Sequence, residues 1–376
     1  MRPTVAEVDL EAVRHNVRLL RKIVSPAAVC AVVKANGYGH GALEASVAAL
    51  EAGATSLAVA LVEEGVALRE EGITARIIVL SEPPLDAMEA ALQHDLEPAV
   101  YTLDGIQEAL RAVLRAPGAP VWPVHLKVDT GMHRVGCSPD EALGLARAIH
   151  RRPELVLGSV FTHGAVEDEP DNDFTRRQLA VFDEIVGLIG AEQIPVPFTH
   201  MANSAGAIAH PAARHDLVRC GIAIYGLAPS PAVDALVPEP GLRPAMTLRS
   251  QVSFVKVVAA GEGVSYGLRH TFDQDTVVAT VPIGYADGVR RNLGLAGGEV
   301  LIGGRRRPVV GVVTMDQLMV ACDDTVHVGD DVVLIGDQGD ERVTATEWAD
   351  RLGTISYEIV CGISARVPRV YPGEDE

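Results

Sequence analysis

The sequence predicts an α/β protein with an N-terminal (β/α)8 TIM barrel followed by a C-terminal, mostly-β domain. Strand-like and helix-like segments alternate eight times over residues 28–227, which is typical of such a barrel. A Pro-rich stretch at 228–241 follows, and beyond it short Val-, Thr- and Ile-rich runs are separated by Gly and Asp. At 376 residues the chain is long enough for two domains. An open doubly wound sheet is the alternative for the first domain.

The chain enters the predicted barrel through a helix and a buried strand. Residues 4–8 resemble a strand that precedes the barrel. Asp9 is a candidate N-cap, and apolar residues then recur at three- and four-residue steps to about residue 24, which predicts a helix. Residues 28–33 form an unbroken apolar run, as expected for a parallel strand buried on both faces.

The remaining barrel elements follow in alternation. Further strands are predicted at residues 55–61, 75–80, 97–101, 121–128, 155–162, 196–200 and 217–227. Helices are predicted at residues 41–53, 62–71, 85–95, 103–115, 139–151, 173–189 and 204–209. We therefore assign the barrel domain to residues 9–235.

The second domain is assigned to residues 241–371. Its strands are predicted at residues 246–259, 276–283, 299–302, 308–314, 317–322 and 331–335, with one helix at 346–352. Residues 1–8 are expected to pair with this domain, and residues 372–376 are expected to form a disordered tail.

Charge and cysteine content restrict the classes of partner and the compartment. A net charge of −18 argues against nucleic acid and anionic membranes as partners. No stretch has the length and apolarity of a membrane span, and Glu7 and Asp9 interrupt any signal-peptide-like core. The five cysteines are scattered without a CxxC pair, which favours a cytoplasmic location and predicts neither a disulfide framework nor a metal site.

Lys34 ends the first barrel strand and precedes a Gly-rich turn. The chain has four lysines against 28 arginines, so a lysine kept in an apolar strand suggests chemistry that arginine cannot perform. Schiff-base formation is such chemistry, because it requires a deprotonated amine. The alternative is that Lys34 reaches solvent at the rim of the sheet and that GC-rich coding explains the scarcity of lysine.

Polar residues also end or follow the later strands, or lie on the last of them, at the side where barrel enzymes place their active sites. They are Lys127, Asp129, Gly131, His133, Arg134, His163, His200, Asn203, Ser204, Arg219, Gly221 and Tyr225. Each has a structural alternative: His163 as a satisfied core histidine, Arg219 paired with Asp216, and Arg134 as a solvated loop residue. The functional interpretation depends on convergence of the set on one rim.

A phosphate site is indicated at the last two strands. The chain has no Walker A loop and no GxGxxG after a strand. Asn203 and Ser204 open a short helix whose free N–H groups are predicted to bind an anion, and Gly221 permits close approach of a ligand. A lysine on the first strand together with this cradle suggests pyridoxal 5′-phosphate (PLP).

With these motifs in hand, the chain resembles the alanine racemase family, a group of PLP-dependent barrel enzymes, over nearly its whole length. The resemblance is carried by AVVKANGYGHG at 31–41, KVDTGMHRVG at 127–136, FTH at 161–163, NSAG at 203–206, RCGIAIYG at 219–226, VSYG at 264–267, IGYADG at 283–288, MDQ at 315–317 and YE at 357–358.

The resemblance implies a role for each matching residue. Lys34 holds PLP covalently and acts as one base, and Tyr266 from the other subunit of a homodimer acts as the opposite base. Arg219 pairs with the ring nitrogen, and His163 packs beside the ring. Arg134 and the partner's Met315 N–H bind the substrate carboxylate, while Lys127 matches a lysine that is often carbamylated. The phosphate ligands are Tyr38, Ser204, Gly221, Ile222 and Tyr357.

The expected activity is PLP-dependent interconversion of L- and D-alanine, which supplies D-alanine for cell-wall peptidoglycan. Racemisation moves a proton from one face of Cα to the other, and two opposed bases do this. A serine or broader-specificity racemase is the alternative, because apolar pockets reject an added hydroxyl poorly. A decarboxylase of related fold is disfavoured by Arg219, and a PLP carrier is disfavoured by the second domain.

The sequence departs from the family pattern in two places. Thr314 stands where many relatives have Cys, and little effect is expected because the neighbouring carboxylate contact comes from backbone. The loop at 167–173 is strongly acidic. We interpret it as a solvated loop in preference to part of an entrance corridor.

Overall fold

The structure, a computed structural model, describes residues 2–373. They form two compact units. The barrel unit comprises Glu11–Gly37 and Ala42–Arg243, and the β unit comprises the residues up to Leu10, Tyr38–Gly41 and the residues from Pro244 onward. Strand β1 (Val5–Val8) belongs to the β unit. Residues 374–376 of the predicted tail lie outside the described residues.

The barrel unit contains eight parallel strands, which confirms the predicted fold class. They are β2 (Ala28–Val32), β3 (Ser56–Val59), β4 (Ile77–Val79), β5 (Glu97–Val100), β6 (Trp122–Lys127), β7 (Leu155–Phe161), β8 (Phe198–His200) and β9 (Leu217–Cys220). Their order is β8-β7-β6-β5-β4-β3-β2-β9, and every ladder in it is parallel. Hydrogen bonds from Asp216 N to Thr199 O and from Arg219 N to Ala202 O join β8 and β9 and close the barrel.

Helices alternate with these strands. Their sequences provide apolar residues on one helix face and capping residues at the helix N-termini. Their bounds are Leu10–Val24, Ala42–Glu51, Val62–Glu70, Met88–Gln93, Leu103–Arg115, Pro139–His150, Phe174–Ala191, Ser204–Ala209 and Pro231–Asp234. Thr102 caps the helix Leu103–Arg115 by accepting from Gly105 N at 2.9 Å. Ser138 and Glu141 form a capping box with Pro139 at the first helical position.

The barrel core is mainly aliphatic, as the scarcity of aromatic residues predicts. Every residue of β3 and β4 is buried, which is the pattern of strands covered on both faces. Trp122 is a large exception, and its indole N–H donates to Leu96 O at 2.9 Å, so the buried polar atom is satisfied.

The last predicted barrel strand is too long. Residues 217–227 were expected to be extended, but β9 ends at Cys220 and a 3₁₀ turn spans Ile222–Tyr225. The Ser204 hydroxyl accepts hydrogen bonds from Gly221 N and Ala223 N. These two N–H groups are therefore not used for pairing with a neighbouring strand. The apolar run therefore continues as a buried 3₁₀ turn instead of a strand.

The β unit is built on one ten-stranded sheet. Its strands are β1, β10 (Met246–Gln251), β11 (Phe254–Val258), β14 (Thr276–Val281), β15 (Glu299–Ile302), β16 (Arg305–Val310), β17 (Leu318–Cys322), β18 (Asp331–Gln338), β19 (Glu341–Val343) and β20 (Arg369–Val370). Strands β12 (Gly263–Val264) and β13 (His270–Thr271) form a separate pair. Strand β1 pairs antiparallel with β10 and parallel with β20.

Two helices, Ala345–Leu352 and Ser356–Cys361, complete the β unit. The second of them, together with β12, β13, β19 and β20, was not predicted, because these elements have six residues or fewer and show little periodicity. The predicted strand at 246–259 divides into β10 and β11 at Val252 and Ser253. No helix among residues 2–373 combines the length and the apolarity needed to span a membrane.

Candidate active site

Lys34 lies at the mouth of the barrel, immediately before a left-handed turn. Ala35, Asn36 and Gly37 have φ/ψ values of 53/49°, 52/52° and 61/43°. A non-glycine residue in this region costs about 1–2 kcal/mol, so two consecutive examples require compensation. Part of it is a hydrogen bond from Gly37 N to Val33 O at 2.8 Å and another from Ala42 N to Asn36 Oδ1 at 3.0 Å. The turn fixes the direction in which the chain leaves Lys34.

Glu64 supplies further compensation, a role that the sequence pattern does not predict. Its Oε1 accepts from Ala35 N at 2.6 Å, and its Oε2 accepts from Ala60 N at 2.8 Å and Leu61 N at 3.2 Å. One carboxylate thus ties the turn after Lys34 to the end of the next strand. The only sequence signal is a Glu at the third position of a helix, which is common at helix N-termini and does not identify a distant partner.

Arg219 is buried at the end of β9, with 3% of its surface exposed. Its Nη1 donates to His200 Nδ1 at 2.8 Å. Its Nη2 carries two hydrogens, which are shared among Thr162 O at 2.8 Å, Met201 O at 2.9 Å and His163 Nδ1 at 3.0 Å. The alternative pairing with Asp216 is wrong, because that carboxylate accepts from Thr199 N and the Thr199 hydroxyl instead. The cation is therefore held by neutral partners.

Both histidines beside Arg219 are neutral. Burial, followed by the charge of Arg219, holds the pKa of His163 and of His200 well below the ordinary histidine value. The alternative interpretation of His163 as a satisfied core histidine is correct in part, since its Nδ1 accepts a hydrogen bond from Arg219. His163 nevertheless lines a small cavity with Lys127, Asp129 and Arg134, so the predicted convergence on one rim is observed for these residues.

Positive charge is concentrated at this rim. Lys127 is 5% exposed, and its Nζ donates to Leu80 O at 3.1 Å. Burial, together with the charges of Arg219, Arg134 and Lys34, lowers the Lys127 pKa to about 7. Arg134 is exposed and has no ion-pair partner within the described residues. A cation cluster of this kind is suited to an anionic cofactor or substrate.

Ser204, Gly221 and Ile222 lie together where β9 meets the helix Ser204–Ala209. The Ser204 hydroxyl is 2.9 Å from Gly221 N. The prediction that the helix presents free N–H groups is wrong for two of them, because Asn203 Oδ1 accepts from Ala205 N and Gly206 N at 2.7 and 3.3 Å. The available polar groups are therefore at the Ser204–Gly221 junction.

The acidic loop at 167–173 is only partly solvated. Asp168, Glu169, Asp171 and Asp173 are exposed, as expected, but Glu167 is 1% exposed. Its Oε2 accepts from Asn203 N at 3.0 Å, and burial raises its pKa to about 7. The local sequence does not distinguish Glu167 from the neighbouring carboxylates, because Gly206, one of the two glycines that make room for it, and its hydrogen-bond donor Asn203 are distant in the chain.

The other predicted site residues belong to the β unit. Tyr38 and Tyr357 form a tilted ring pair with centroids 6.1 Å apart. Tyr266 begins a 3₁₀ turn and is 69% exposed, and Met315 is 52% exposed. Met315 O accepts from Ala286 N at 3.0 Å, and its own N–H donates to no backbone carbonyl within residues 2–373. Exposure of an aromatic and a thioether side chain is consistent with contacts to another chain.

Comparison with known proteins gives consistent matches over both units. Residues 8–229 match the family model described as the alanine racemase N-terminal domain, and residues 245–371 match the alanine racemase C-terminal domain. The chain is 50% identical to alanine racemase from Symbiobacterium thermophilum, covering 100% of this chain and 98% of that protein. It is 41% identical to alanine racemase 1 from Bacillus subtilis, covering 98% and 93%.

Solved structures show the same likeness. Alanine racemase from Bacillus anthracis with bound L-Ala-P has a TM-score of 0.93 at 39% identity, covering 100% of this chain and 96% of that one. Alanine racemase from Streptomyces lavendulae has a TM-score of 0.93 at 39% identity, covering 99% and 98%.

Proposed function

The chain belongs to the alanine racemase family, and from this premise we propose how its residues interconvert L- and D-alanine with PLP. The main support for this proposal is the match to alanine racemases over the full length of the chain. The same match favours alanine over the serine alternative. The second domain match, over residues 245–371, argues against a PLP carrier consisting of the barrel alone.

PLP fits the barrel rim. Its phosphate and phenolate are anionic, and the rim brings together the basic side chains Lys34, Lys127, Arg134 and Arg219. Arg219 has only neutral hydrogen-bond partners, so its charge is available to the pyridine nitrogen. Ser204, Gly221 and Ile222 would hold the phosphate, and the resemblance adds Tyr38 and Tyr357. Lys34 would hold PLP covalently, with His163 beside the ring.

The proposed catalytic bases are Lys34 and Tyr266. When bound, PLP withdraws electrons from the α-carbon of an attached amino acid and so acidifies its α-hydrogen. The Lys34 amine accepts or returns a proton on one face of that carbon, and the Tyr266 phenol oxygen does so on the other. Arg219 cannot donate a proton outright to the pyridine nitrogen, because guanidinium keeps its charge, and this limits electron withdrawal by the ring.

Arg134 and the Met315 N–H are the proposed ligands of the substrate carboxylate. Both residues are exposed. Within residues 2–373, Arg134 has no ion-pair partner and the Met315 N–H donates to no backbone carbonyl. An arginine and a backbone donor together fix the orientation of a carboxylate. We further propose that the active unit is a homodimer in which Tyr266 and Met315 complete the site of the other subunit, as in the family.

Lys127 is proposed to be carbamylated. An amine with a pKa of about 7 is partly neutral near pH 7 and can attack CO2, forming an N–C bond and releasing a proton. The resulting anion would balance Arg134 and Arg219. We expect a carbamate signal in ¹³C NMR after incubation with ¹³C-bicarbonate above pH 7, lost as the pH falls and absent from Lys127→Arg. A spectrum without that signal at high pH would contradict carbamylation.

Glu64→Gln should disturb the Lys34 turn. An amide keeps one acceptor but places an NH2 group against a backbone N–H, so the left-handed conformation of Ala35 loses support. We expect kcat to fall about ten- to a hundredfold, because small displacements of a reacting group are costly, and PLP to dissociate faster on dialysis. Glu63→Gln, on the exposed side of the same helix turn, is the control. Unchanged kcat and PLP retention in Glu64→Gln would show that the turn holds by itself.

The biological setting follows from the activity. D-Alanine formed from L-alanine supplies cell-wall peptidoglycan, and the scattered cysteines favour the cytoplasm. The small-molecule substrate requires neither a membrane nor nucleic acid.

The direct test is exchange of the α-hydrogen of alanine in D₂O with PLP present. Both enantiomers should acquire deuterium and converge on a racemic mixture, while L-serine, the matched comparison, should react more slowly. The absence of turnover with either alanine enantiomer would overturn the proposed function. Faster turnover of serine would support the alternative substrate.

A further inference from the structure

A continuous chain of hydrogen bonds runs through the barrel interior from Arg219 to Glu97. Arg219 Nη1 is 2.8 Å from His200 Nδ1, and His200 Nε2 is 2.9 Å from Ser159 Oγ. Ser159 Oγ is 2.7 Å from His125 Nδ1, and His125 Nε2 is 2.9 Å from Glu97 Oε2. His125, Ser159 and His200 are fully buried. We call these five residues the relay.

The two ends of the relay determine the direction of each hydrogen bond. Arg219 can only donate, so His200 Nδ1 accepts, and neutral His200 carries its hydrogen on Nε2. That N–H donates to Ser159 Oγ. The Ser159 hydroxyl then donates to His125 Nδ1, the one acceptor in range of it within residues 2–373. His125 Nε2–H donates to Glu97.

Glu97 is ionised and anchored. It is the first residue of β5, at the end of the barrel opposite the cation cluster, and its side chain is 13% exposed. Arg76 Nε donates to Glu97 Oε1 at 3.0 Å. Burial raises the pKa of Glu97, but the hydrogen bonds from His125 and Arg76 and the charge of Arg76 prevail, so the Glu97 pKa is lowered. The relay therefore joins a carboxylate at the amino-terminal end of the barrel to a guanidinium at the carboxyl-terminal end.

We propose that Glu97 is a positioning residue that acts through His125, Ser159 and His200 on Arg219 and so sets how strongly Arg219 binds the PLP nitrogen. Hydrogen bonds in such a chain polarise one another, and burial strengthens the effect. A carboxylate at the far end makes each acceptor more electron-rich, so His200 binds Arg219 more tightly and holds it in one orientation. The PLP part of this inference rests on the proposed function.

The first test does not require PLP or activity. ¹⁵N-histidine NMR of the protein without cofactor should show the hydrogen on Nε2 and a free lone pair on Nδ1 in both His200 and His125, as the hydrogen-bond geometry requires. A hydrogen on Nδ1 of either ring would overturn the relay. This result stands whether or not the chain racemises alanine.

The second test uses the holoenzyme and two relay variants. Glu97→Gln keeps an acceptor for His125 but removes the charge, and Ser159→Ala disconnects the two histidines. Each should shift the absorbance band of bound PLP and its pH profile, and change kcat about three- to tenfold. Ser56→Ala, which removes another buried barrel serine outside the relay, is the matched control and should shift neither.

The double variant decides between relay and local packing. If Glu97 acts through Ser159, Glu97→Gln should add nothing to the spectral shift of Ser159→Ala. Additive shifts, or a Glu97→Gln spectrum identical to that of the unsubstituted protein, would overturn the proposal. Should Ser159→Ala fail to fold, the Glu97→Gln spectrum alone still decides, since Glu97 lies near the surface. Failure of the unsubstituted protein to bind PLP would instead count against the proposed function.

Discussion

Lys34→Ala should abolish alanine racemisation and covalent PLP binding together. The residue is proposed to hold the cofactor and to serve as a base, and no other lysine takes its place in the left-handed turn at the end of β2. We expect kcat to fall at least about a thousandfold, since proton transfer by a positioned base alone contributes factors of about 10²–10⁴. Racemisation assays and borohydride reduction, which fixes PLP to the amine, measure the two losses.

Two controls make the Lys34 result specific. Lys34→Arg keeps a cation at the rim but cannot bind PLP covalently, so it should be as inactive as Lys34→Ala. Lys22→Ala removes an exposed lysine of the first helix and should leave both readouts unchanged. Racemase activity that survives in Lys34→Ala would remove Lys34 from the mechanism.

Tyr266→Phe should cause the second-largest loss. If Tyr266 is the second base, as proposed, removing its phenol oxygen leaves one face of the substrate without a base, and racemisation should fall about 10²–10⁴-fold in both directions. Lys34 remains able to take and return a proton on its own face. In D₂O, therefore, one alanine enantiomer should still exchange its α-hydrogen with retention of configuration, while the other should not.

The exchange pattern distinguishes a lost base from a damaged fold. Tyr371→Phe, in which a tyrosine of the β unit loses a hydrogen bond to His40 O, is the control and should racemise normally. Equal residual exchange of both enantiomers in Tyr266→Phe would argue that Tyr266 is not the second base.

Mixing the two inactive variants tests the shared site. If Tyr266 serves the partner's Lys34, a hybrid dimer of Lys34→Ala and Tyr266→Phe chains contains one site with both residues intact. Random exchange of subunits should then restore about a quarter of the normal activity, since half of the dimers are hybrids and each has one good site. No recovery after verified subunit exchange would place both residues in the same chain's site.

The sequence predicted the barrel well because its parallel strands are apolar on both faces and its helices are amphipathic. Strands β3 and β4 fall within the predicted segments because every side chain in them is buried, a state that the local sequence records directly. The prediction failed where a side chain from elsewhere in the chain intervenes. Ser204 captures the N–H groups of Gly221 and Ala223 and ends β9 at Cys220, although the apolar run continues.

The amino-acid sequence was sufficient to predict the order of the elements, the fold class and the polar residues at the ends of the strands, including Lys34, Arg134, His163 and Arg219. These depend on periodicity and on motifs that are contiguous in the chain. Only the tertiary structure revealed that Glu64 supports the turn after Lys34, that Glu167 is buried beside Asn203, and that Glu97 is connected to Arg219. The reason is physical: a carboxylate's role depends on the donors within about 3 Å of it, and here those donors come from distant parts of the chain.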